Sequence, residues 1–256
     1  MARIQFLDRI LDTEINMITM NFLTEEKENE IFLKYRKNIS SLKKDIEDAC
    51  RNSGRSPEDI TIIAATKYVG PEGVVMVYKS GINDFGENRA DELVNKKKAL
   101  SGDSIWHFIG HLQTRKAKTV VPLVEYIHSI DSLKTLEKVG KEAKKINKIQ
   151  KVLIEINISG EQTKYGLDMD QVGSFISDSS EINNIEIKGF MTMAPYTDDM
   201  KHIRKIFRSL RLLREEMSRS FTGLDLSELS MGMSNDFGIA IEEGATMIRV
   251  GSNIFK

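Results

Sequence analysis

The sequence predicts an α/β fold, a single (β/α)8 TIM barrel with one helix before the first strand. Short apolar runs with the length of buried strands alternate with amphipathic stretches of helical spacing. Eight such runs are present, and helical material follows seven of them. The length of 256 residues matches the usual barrel size of about 250. This alternation implies parallel strands joined by right-handed helical crossovers.

The elements follow in a regular order. The first helix is predicted to start at Thr24, a capping residue followed by an acidic turn, and to run towards Gly54. The strands are ITIIAAT, INDFGEN, SIWHFIG, YIHSID, KVLIEINIS, IEIKGFMTMAP, LSELSMG and TMIRVGSNIF. Helices are predicted near 72–79, 90–100, 132–147, 170–179, 198–219 and 236–243, with a basic stretch from Thr114 after the third strand. An open doubly wound sheet is the alternative, but its glycine-rich nucleotide fingerprints are absent from the sequence.

Two segments are predicted. Residues 1–23 form an N-terminal extension, either disordered or a short helix, and residues 24–256 form the barrel. Asp8, Asp12 and Glu14 interrupt the apolar residues of the extension, so it is predicted to be neither a signal peptide nor a membrane span. We therefore expect a cytoplasmic protein without a membrane partner.

Composition narrows the possible functions. The net charge is −1, which gives no electrostatic reason to expect a nucleic-acid partner. A single cysteine, Cys50, excludes an internal disulfide and suggests a reducing compartment. No metal site is predicted, because the four histidines are scattered. His107 and His111 have i, i+4 spacing, but they flank a strand end and are interpreted as packing or hydrogen-bonding residues.

The chemistry of such a barrel concentrates at the carboxyl ends of its strands. Lys67 closes the first strand and Asn88 the second. The loops after the seventh and eighth strands read MGMSND and VGSN, and loops at these positions frequently bind phosphate. We therefore predict a phosphate cradle made by Ser234, Gly251 and Ser252. The other strand-end candidates are Gly110, His111, Asp131, Asn157, Met193 and Pro195.

A lysine that faces a phosphate cradle suits a phosphorylated aldehyde. Burial of Lys67 would favour its neutral amine, which forms an imine with a carbonyl. Arg249 lies two residues before Gly251, on the same side of the strand, where its guanidinium could reach a ring nitrogen. The cofactor that combines these features is pyridoxal 5′-phosphate (PLP).

The stretch WHFIGHLQTRKAKTV, at 106–120, resembles the signature of the pyridoxal phosphate homeostasis proteins, which resemble the barrel half of alanine racemase. AATKYV, FGENRADE, VLIEINISGEQTKYGL, IKGFMTMAP and LSMGMSNDFGIAIEEGATMIRVGSNIF are similar to further blocks of that family in the same order. The resemblance implies that Lys67 forms the imine and that Arg249 faces the pyridine nitrogen. It places Asn88 beside the cofactor, and Ser234, Gly251 and Ser252 at its phosphate.

The same residues also have simpler structural interpretations. A lysine that ends a strand is most often a solvated side chain, and Gly-Ser turns are usually only turns. Arg249 could instead pair with Glu155 or Glu228. The basic tracts and the stretch KHIRKIFRSLRLLREEM are interpreted as solvated or core-facing helix surfaces rather than as nucleic-acid or membrane sites.

Two functions remain from the sequence. An amino-acid racemase needs a base on each face of the substrate carbanion, and Lys67 supplies only one. The resemblance implies that the second base belongs to a C-terminal domain, and the sequence ends where that domain would begin. We therefore favour a non-catalytic PLP carrier that contributes to intracellular PLP homeostasis. Its expected partners are PLP and PLP-dependent apo-enzymes, and a monomer is the simpler expectation.

Overall fold

The computed structural model describes residues 25–100, 102–161 and 164–256. Within these ranges, eight parallel strands close into a barrel, each hydrogen-bonded to the next in the chain and the last to the first. The strands are β1 Thr61–Ala65, β2 Asp84–Glu87, β3 Ile105–Phe108, β4 Tyr126–Ile130, β5 Gln150–Glu155, β6 Ile185–Met191, β7 Glu228–Ser230 and β8 Met247–Val250. The predicted barrel is confirmed. The predicted extension at 1–23 and the predicted cap at Thr24 lie outside the described residues.

The helices of the described ranges are α1 Glu25–Ser53, α2 Pro71–Lys79, α3 Ala90–Ala99, α4 Ala117–Val120, α5 Leu133–Lys145, α6 Val172–Ser179, α7 Met200–Ser220, α8 Phe237–Glu242 and α9 Ser252–Phe255. Seven of them match their predicted positions to within about two residues, and α4 lies in the basic stretch from Thr114. The short helix α9 was not predicted, since only seven strands were expected to precede helical material. It forms because Ile254 and Phe255 are buried, and the ring of Phe255 packs edge-on against Tyr35 of α1 at 5.3 Å between centroids.

Helix α1 completes the outer ring of helices. Its buried residues recur at helical spacing, from Tyr35 through Ile39 and Leu42 to Ile46. This face contacts α8, α9 and α2, which places α1 in the gap between β8 and β1. The amide nitrogen of Asn38 donates to the backbone carbonyl of Ile254 at 2.9 Å. The helix before the first strand therefore occupies the position that a long helix after β8 would fill.

Helix α7 carries the arginine-rich stretch singled out in the sequence. The buried residues of α7 are Ile203, Ile206, Phe207, Leu210, Leu213 and Met217. They form one face against the barrel, so the interpretation as a barrel helix is confirmed. Across the described ranges, no helix is both long enough and apolar enough to cross a membrane.

The inside of the barrel is divided between apolar and polar side chains. Ile63, Leu153, Met191 and Met247 form a small buried cluster, separate from the main core between sheet and helices. The remaining interior is polar and includes two fully buried histidines. Bulky apolar residues usually fill such barrels, so this polar half is a departure from the common pattern.

Candidate functional site

A cavity of about 770 Å³ opens at the carboxyl ends of the strands. The residues predicted from the sequence to bind a cofactor all line it, namely Lys67, Asn88, Ser234, Arg249, Gly251 and Ser252. Because β1 pairs with β8, the loop that carries Lys67 is next to the loop that carries Gly251 and Ser252. The structure thus gathers the predicted residues in one place, while their roles stay predictions.

Lys67 lies on the rim of this cavity. Strand β1 ends at Ala65, and the chain turns at Lys67, which leaves the side chain exposed. Its ammonium lies 4.9 Å from the centroid of the Tyr68 ring, a cation–π distance. The expectation that Lys67 is buried was wrong, because the apolar run continues in sequence to a residue that has already left the sheet.

A buried ion pair supports the residue before Lys67. The Lys96 ammonium lies 2.5 Å from Oε1 of Glu87 and donates to the Thr66 carbonyl at 2.9 Å, and both charged side chains are essentially unexposed. The Thr66 hydroxyl donates to the same Glu87 oxygen at 2.6 Å, and the Asn88 backbone N–H donates to the other at 3.1 Å. Glu87 therefore connects the loops of Lys67 and Asn88. Sequence reasoning missed this network, because Lys96 belongs to the run NKKKAL, which resembles a solvated helix face.

Asn88 begins the loop after β2 at a close contact with the next loop. The side chain of Asn88 is exposed towards the cavity. A Cβ atom added to Gly110 would come within 2.4 Å of the Asn88 carbonyl oxygen. Only glycine fits at position 110, so Gly110 sets the spacing between the loops after β2 and β3.

The loops after β7 and β8 are joined by one hydrogen bond. The backbone N–H of Gly251 donates to the Ser234 hydroxyl oxygen at 3.2 Å. A Cβ added to Gly251 would lie 3.3 Å from the Ala65 carbonyl oxygen and 3.4 Å from the Tyr68 ring. Ser252 is the first residue of α9, so no helical carbonyl pairs with its N–H. These loops present small side chains, hydroxyls and a backbone N–H that no helical carbonyl engages, which suit an anion.

Arg249 is buried at the base of the cavity. One guanidinium nitrogen donates to the Thr192 carbonyl at 3.0 Å, and the other terminal nitrogen donates to the Ser230 hydroxyl. Burial lowers the pKa of Arg249 to about 10, an effect that Glu155 and Asp236 partly oppose. The guanidinium is therefore still a cation at neutral pH, and it can only donate hydrogen bonds.

The alternative partners of Arg249 are resolved by the structure. Among the described residues, no carboxylate forms an ion pair with Arg249. Glu228 instead accepts a hydrogen bond from the Thr246 hydroxyl at 2.6 Å. Glu155 lines the cavity without a direct contact to the guanidinium. The pKa of Glu155 is raised to about 7, chiefly by burial and also by the nearby Asp131 carboxylate, while Arg249 partly opposes the shift.

The two histidines with i, i+4 spacing have separate roles. His107 is buried, with one ring nitrogen 3.0 Å from Asp84 and the other 3.0 Å from His128. His111 lies in the cavity wall, stacked on Tyr165 with 3.7 Å between ring centroids. No group of three or more metal-ligating side chains is found in the part of the chain that the structure describes. The contacts of His107 and His111 match the hydrogen-bonding and packing roles predicted for them.

Comparisons with known proteins agree with this architecture. Residues 40–256 match the family described as "Alanine racemase, N-terminal domain". A pyridoxal phosphate homeostasis protein of Aquifex aeolicus is 40% identical over 218 residues, which cover 85% of this chain and 95% of that protein. A protein of the same name from Escherichia coli is 29% identical and is covered to 94% of its length.

Comparison with solved structures also shows a shared barrel fold and a similar relative. The structure of PipY from Synechococcus elongatus with PLP bound is 28% identical, has a TM-score of 0.77, and covers 87% of this chain and 100% of that one. Alanine racemase of Clostridium difficile has a TM-score of 0.69 at 15% identity, which shows a shared fold alone, and 56% of that chain is covered. The chain therefore belongs to the alanine racemase N-terminal domain family and, within it, to the pyridoxal phosphate homeostasis proteins.

Proposed function

We propose that this protein binds pyridoxal 5′-phosphate in the cavity at the barrel mouth and contributes to the intracellular supply of that cofactor without catalysing a reaction on it. Lys67 holds the aldehyde as a reversible imine. Ser234, Gly251 and Ser252 hold the phosphate, Arg249 faces the pyridine nitrogen, and Asn88 lies beside the ring. The single observation that carries this proposal is the convergence of all six residues on one cavity.

The cavity suits the shape and charge of this cofactor. The loop of Lys67 and the loop of Gly251 and Ser252 follow neighbouring strands, a separation suited to one small molecule with a phosphate and an aldehyde. A Cβ at Gly251 would fill space between Ala65 and Tyr68, where the close approach of a phosphate needs a small residue. When bound, PLP supplies an aldehyde that condenses with amines.

Arg249 supports a carrier rather than a racemase. Its guanidinium is a cation at neutral pH that donates but cannot accept, so a ring nitrogen facing it stays unprotonated. An unprotonated ring withdraws electrons less strongly and stabilises a carbanion less well. The relatives named pyridoxal phosphate homeostasis proteins favour the same conclusion, and the PLP-bound PipY structure supports PLP as the ligand.

The carrier proposal is tested by adding substrate. Protein loaded with PLP is mixed separately with L-alanine, D-alanine and other amino acids, and the products are separated on a chiral column. We expect no steady racemisation or transamination. Turnover at a constant rate, abolished in Lys67→Ala, would overturn the proposal in favour of an enzyme.

We also propose PLP-dependent apo-enzymes as recipients. Loaded protein is mixed with an apo-enzyme, and the return of that enzyme's activity is compared with passive release of PLP into buffer. Recovery faster than passive release supports direct handover, and recovery at the passive rate contradicts it. We further propose a cytoplasmic location, because Cys50 is a buried free thiol rather than half of a disulfide.

A further inference from the structure

A row of polar side chains crosses the interior of the barrel. It consists of Asp84 on β2, His107 on β3, His128 on β4, Ser230 on β7 and Arg249 on β8. The last four of these are at most 5% exposed. Buried polar groups cost free energy unless each has a hydrogen-bond partner, so an interior row of this length calls for a complete set of partners.

The contacts along the row are continuous. Asp84 Oδ1 lies 3.0 Å from His107 Nε2, and His107 Nδ1 lies 3.0 Å from His128 Nε2. His128 Nδ1 lies 2.9 Å from the Ser230 hydroxyl, which also accepts from Arg249 Nη1. The two ends line different cavities. Asp84 and His107 line one of about 450 Å³ at the amino ends of the strands, and Arg249 lines the proposed cofactor cavity.

The chemistry of the end groups fixes where each hydrogen lies. Arg249 only donates, so Ser230 accepts from it and turns its own hydrogen towards His128 Nδ1. His128 is fully buried, and burial lowers its pKa well below the usual value, with His107 and Arg249 adding to the effect. A neutral ring has one N–H, which on His128 must then be at Nε2.

The remaining hydrogens follow from that assignment. The Nε2–H of His128 donates to Nδ1 of His107, so the hydrogen of His107 is at Nε2. That hydrogen points at Asp84, whose carboxylate only accepts. Every donor in the row then points from Arg249 towards Asp84, and every hydrogen has an acceptor.

We propose that Ser230, His128, His107 and Asp84 form a directed hydrogen-bond chain that positions Arg249 from the far end of the barrel. Ser230 and the Thr192 carbonyl together hold both terminal nitrogens of the guanidinium, which leaves its remaining N–H groups for the cavity. These four are positioning residues, since they reach the cavity only through Arg249. Their effect on the cofactor rests on the proposed function, whereas the direction of the chain does not.

Reversing the direction of the hydrogen bonds along the row leaves the hydroxyl hydrogen of Ser230 without an acceptor. If His107 carried a second proton, it would donate from Nδ1 to His128 Nε2, and His128 would carry its hydrogen at Nδ1. Ser230 would then accept from both His128 and Arg249, and its own hydrogen would lack the acceptor that the first arrangement provides. The two arrangements therefore differ in the tautomer of His128, which is measurable.

The direct test is nitrogen NMR of the full chain labelled at histidine, with no cofactor added. We expect His128 and His107 each to show an unprotonated Nδ1 and a protonated Nε2, with the two rings coupled across their hydrogen bond. A protonated Nδ1 on His128, or rapid exchange between its tautomers, would overturn the proposal. This measurement does not depend on PLP. If the protein binds no PLP, the proposed function is refuted, but the hydrogen-bond chain is still tested by the tautomers.

Variants separate positioning from simple packing. Ser230→Ala removes the link between Arg249 and His128, and Ser179→Ala is the matched control, a buried serine hydroxyl on α6 far from the row. In Ser230→Ala we expect the His128 tautomer to become mixed and PLP retention to fall several-fold, and we expect Ser230→Thr, which keeps the hydroxyl, to restore both. Wild-type His128 resonances in Ser230→Ala, or equal loss of PLP retention in Ser179→Ala, would refute the chain.

Discussion

Replacing Lys96 by methionine tests the buried pair that supports the Lys67 loop. Methionine keeps most of the apolar stem and removes the ammonium. The substitution leaves the Glu87 carboxylate fully buried, with the Thr66 hydroxyl and the Asn88 N–H as its remaining partners. It also removes the lysine hydrogen bond to the Thr66 carbonyl. A charge left in the barrel wall without its counter-ion is the main source of the expected loss.

The magnitude follows from the burial of both groups. Lys96 is 1% exposed and Glu87 is 0% exposed. Removing one partner of a buried ion pair typically costs about 3–5 kcal/mol. A chain of this size loses about 2–4 °C in Tm for each kcal/mol, so Lys96→Met should melt roughly 6–20 °C below the wild type. Neutralising the other partner as well removes the isolated charge, so Lys96→Met with Glu87→Gln should recover part of the loss.

Denaturant titration, monitored by circular dichroism, measures this loss in the free energy of unfolding. The matched control is Lys98→Met on the same helix, where the side chain is exposed and the expected change is within about 0.5 kcal/mol. Two results would refute the reasoning: Lys96→Met as stable as Lys98→Met, or a double variant no more stable than Lys96→Met alone.

Three further predictions concern the cavity. The native pKa of Glu155 is about 7 against an ordinary 4.5. The native state therefore binds more protons than the unfolded state between these values, and stability falls by about 3 kcal/mol as the pH rises through them. Glu155→Gln should flatten this fall in denaturant titrations at each pH, and parallel profiles would contradict the assignment. Ser234→Ala should weaken retention of PLP, measured by equilibrium dialysis, more than retention of unphosphorylated pyridoxal; equal losses would argue against a phosphate cradle. Gly110→Ala should destabilise the protein by more than 1 kcal/mol, because its Cβ would meet the Asn88 carbonyl oxygen at 2.4 Å; wild-type stability in denaturant would show that the loops shift freely.

The barrel was predictable because its signal is local and repeated. Each strand is an apolar run, and each long helix has an apolar face. The spacing of apolar residues was therefore enough to predict the order of the elements and the closed barrel. The short helix α9 was missed because its four residues are too few to show a period. It is helical because Ile254 and Phe255 pack on α1, a contact more than 200 residues away in sequence.

The candidate site was predictable to the extent that it follows from strand ends. Lys67, Ser234 and Gly251 were found because a parallel barrel places these ends around one mouth. The exposure of Lys67 could not be predicted, because the sequence does not show where the chain leaves the sheet. The pairing of Lys96 with Glu87 and the row from Asp84 to Arg249 were equally hidden, because both join residues whose partners are fixed only by tertiary packing.

The most direct test of the account is an ultraviolet-visible spectrum of the purified protein after PLP is added and excess is dialysed away. The wild type should be yellow and keep imine absorbance, and so should Lys79→Ala, in which an exposed lysine outside the cavity is removed. Lys67→Ala should lose that absorbance. Unchanged colour in Lys67→Ala, or no imine absorbance in the wild type, would contradict the claim that Lys67 holds the cofactor.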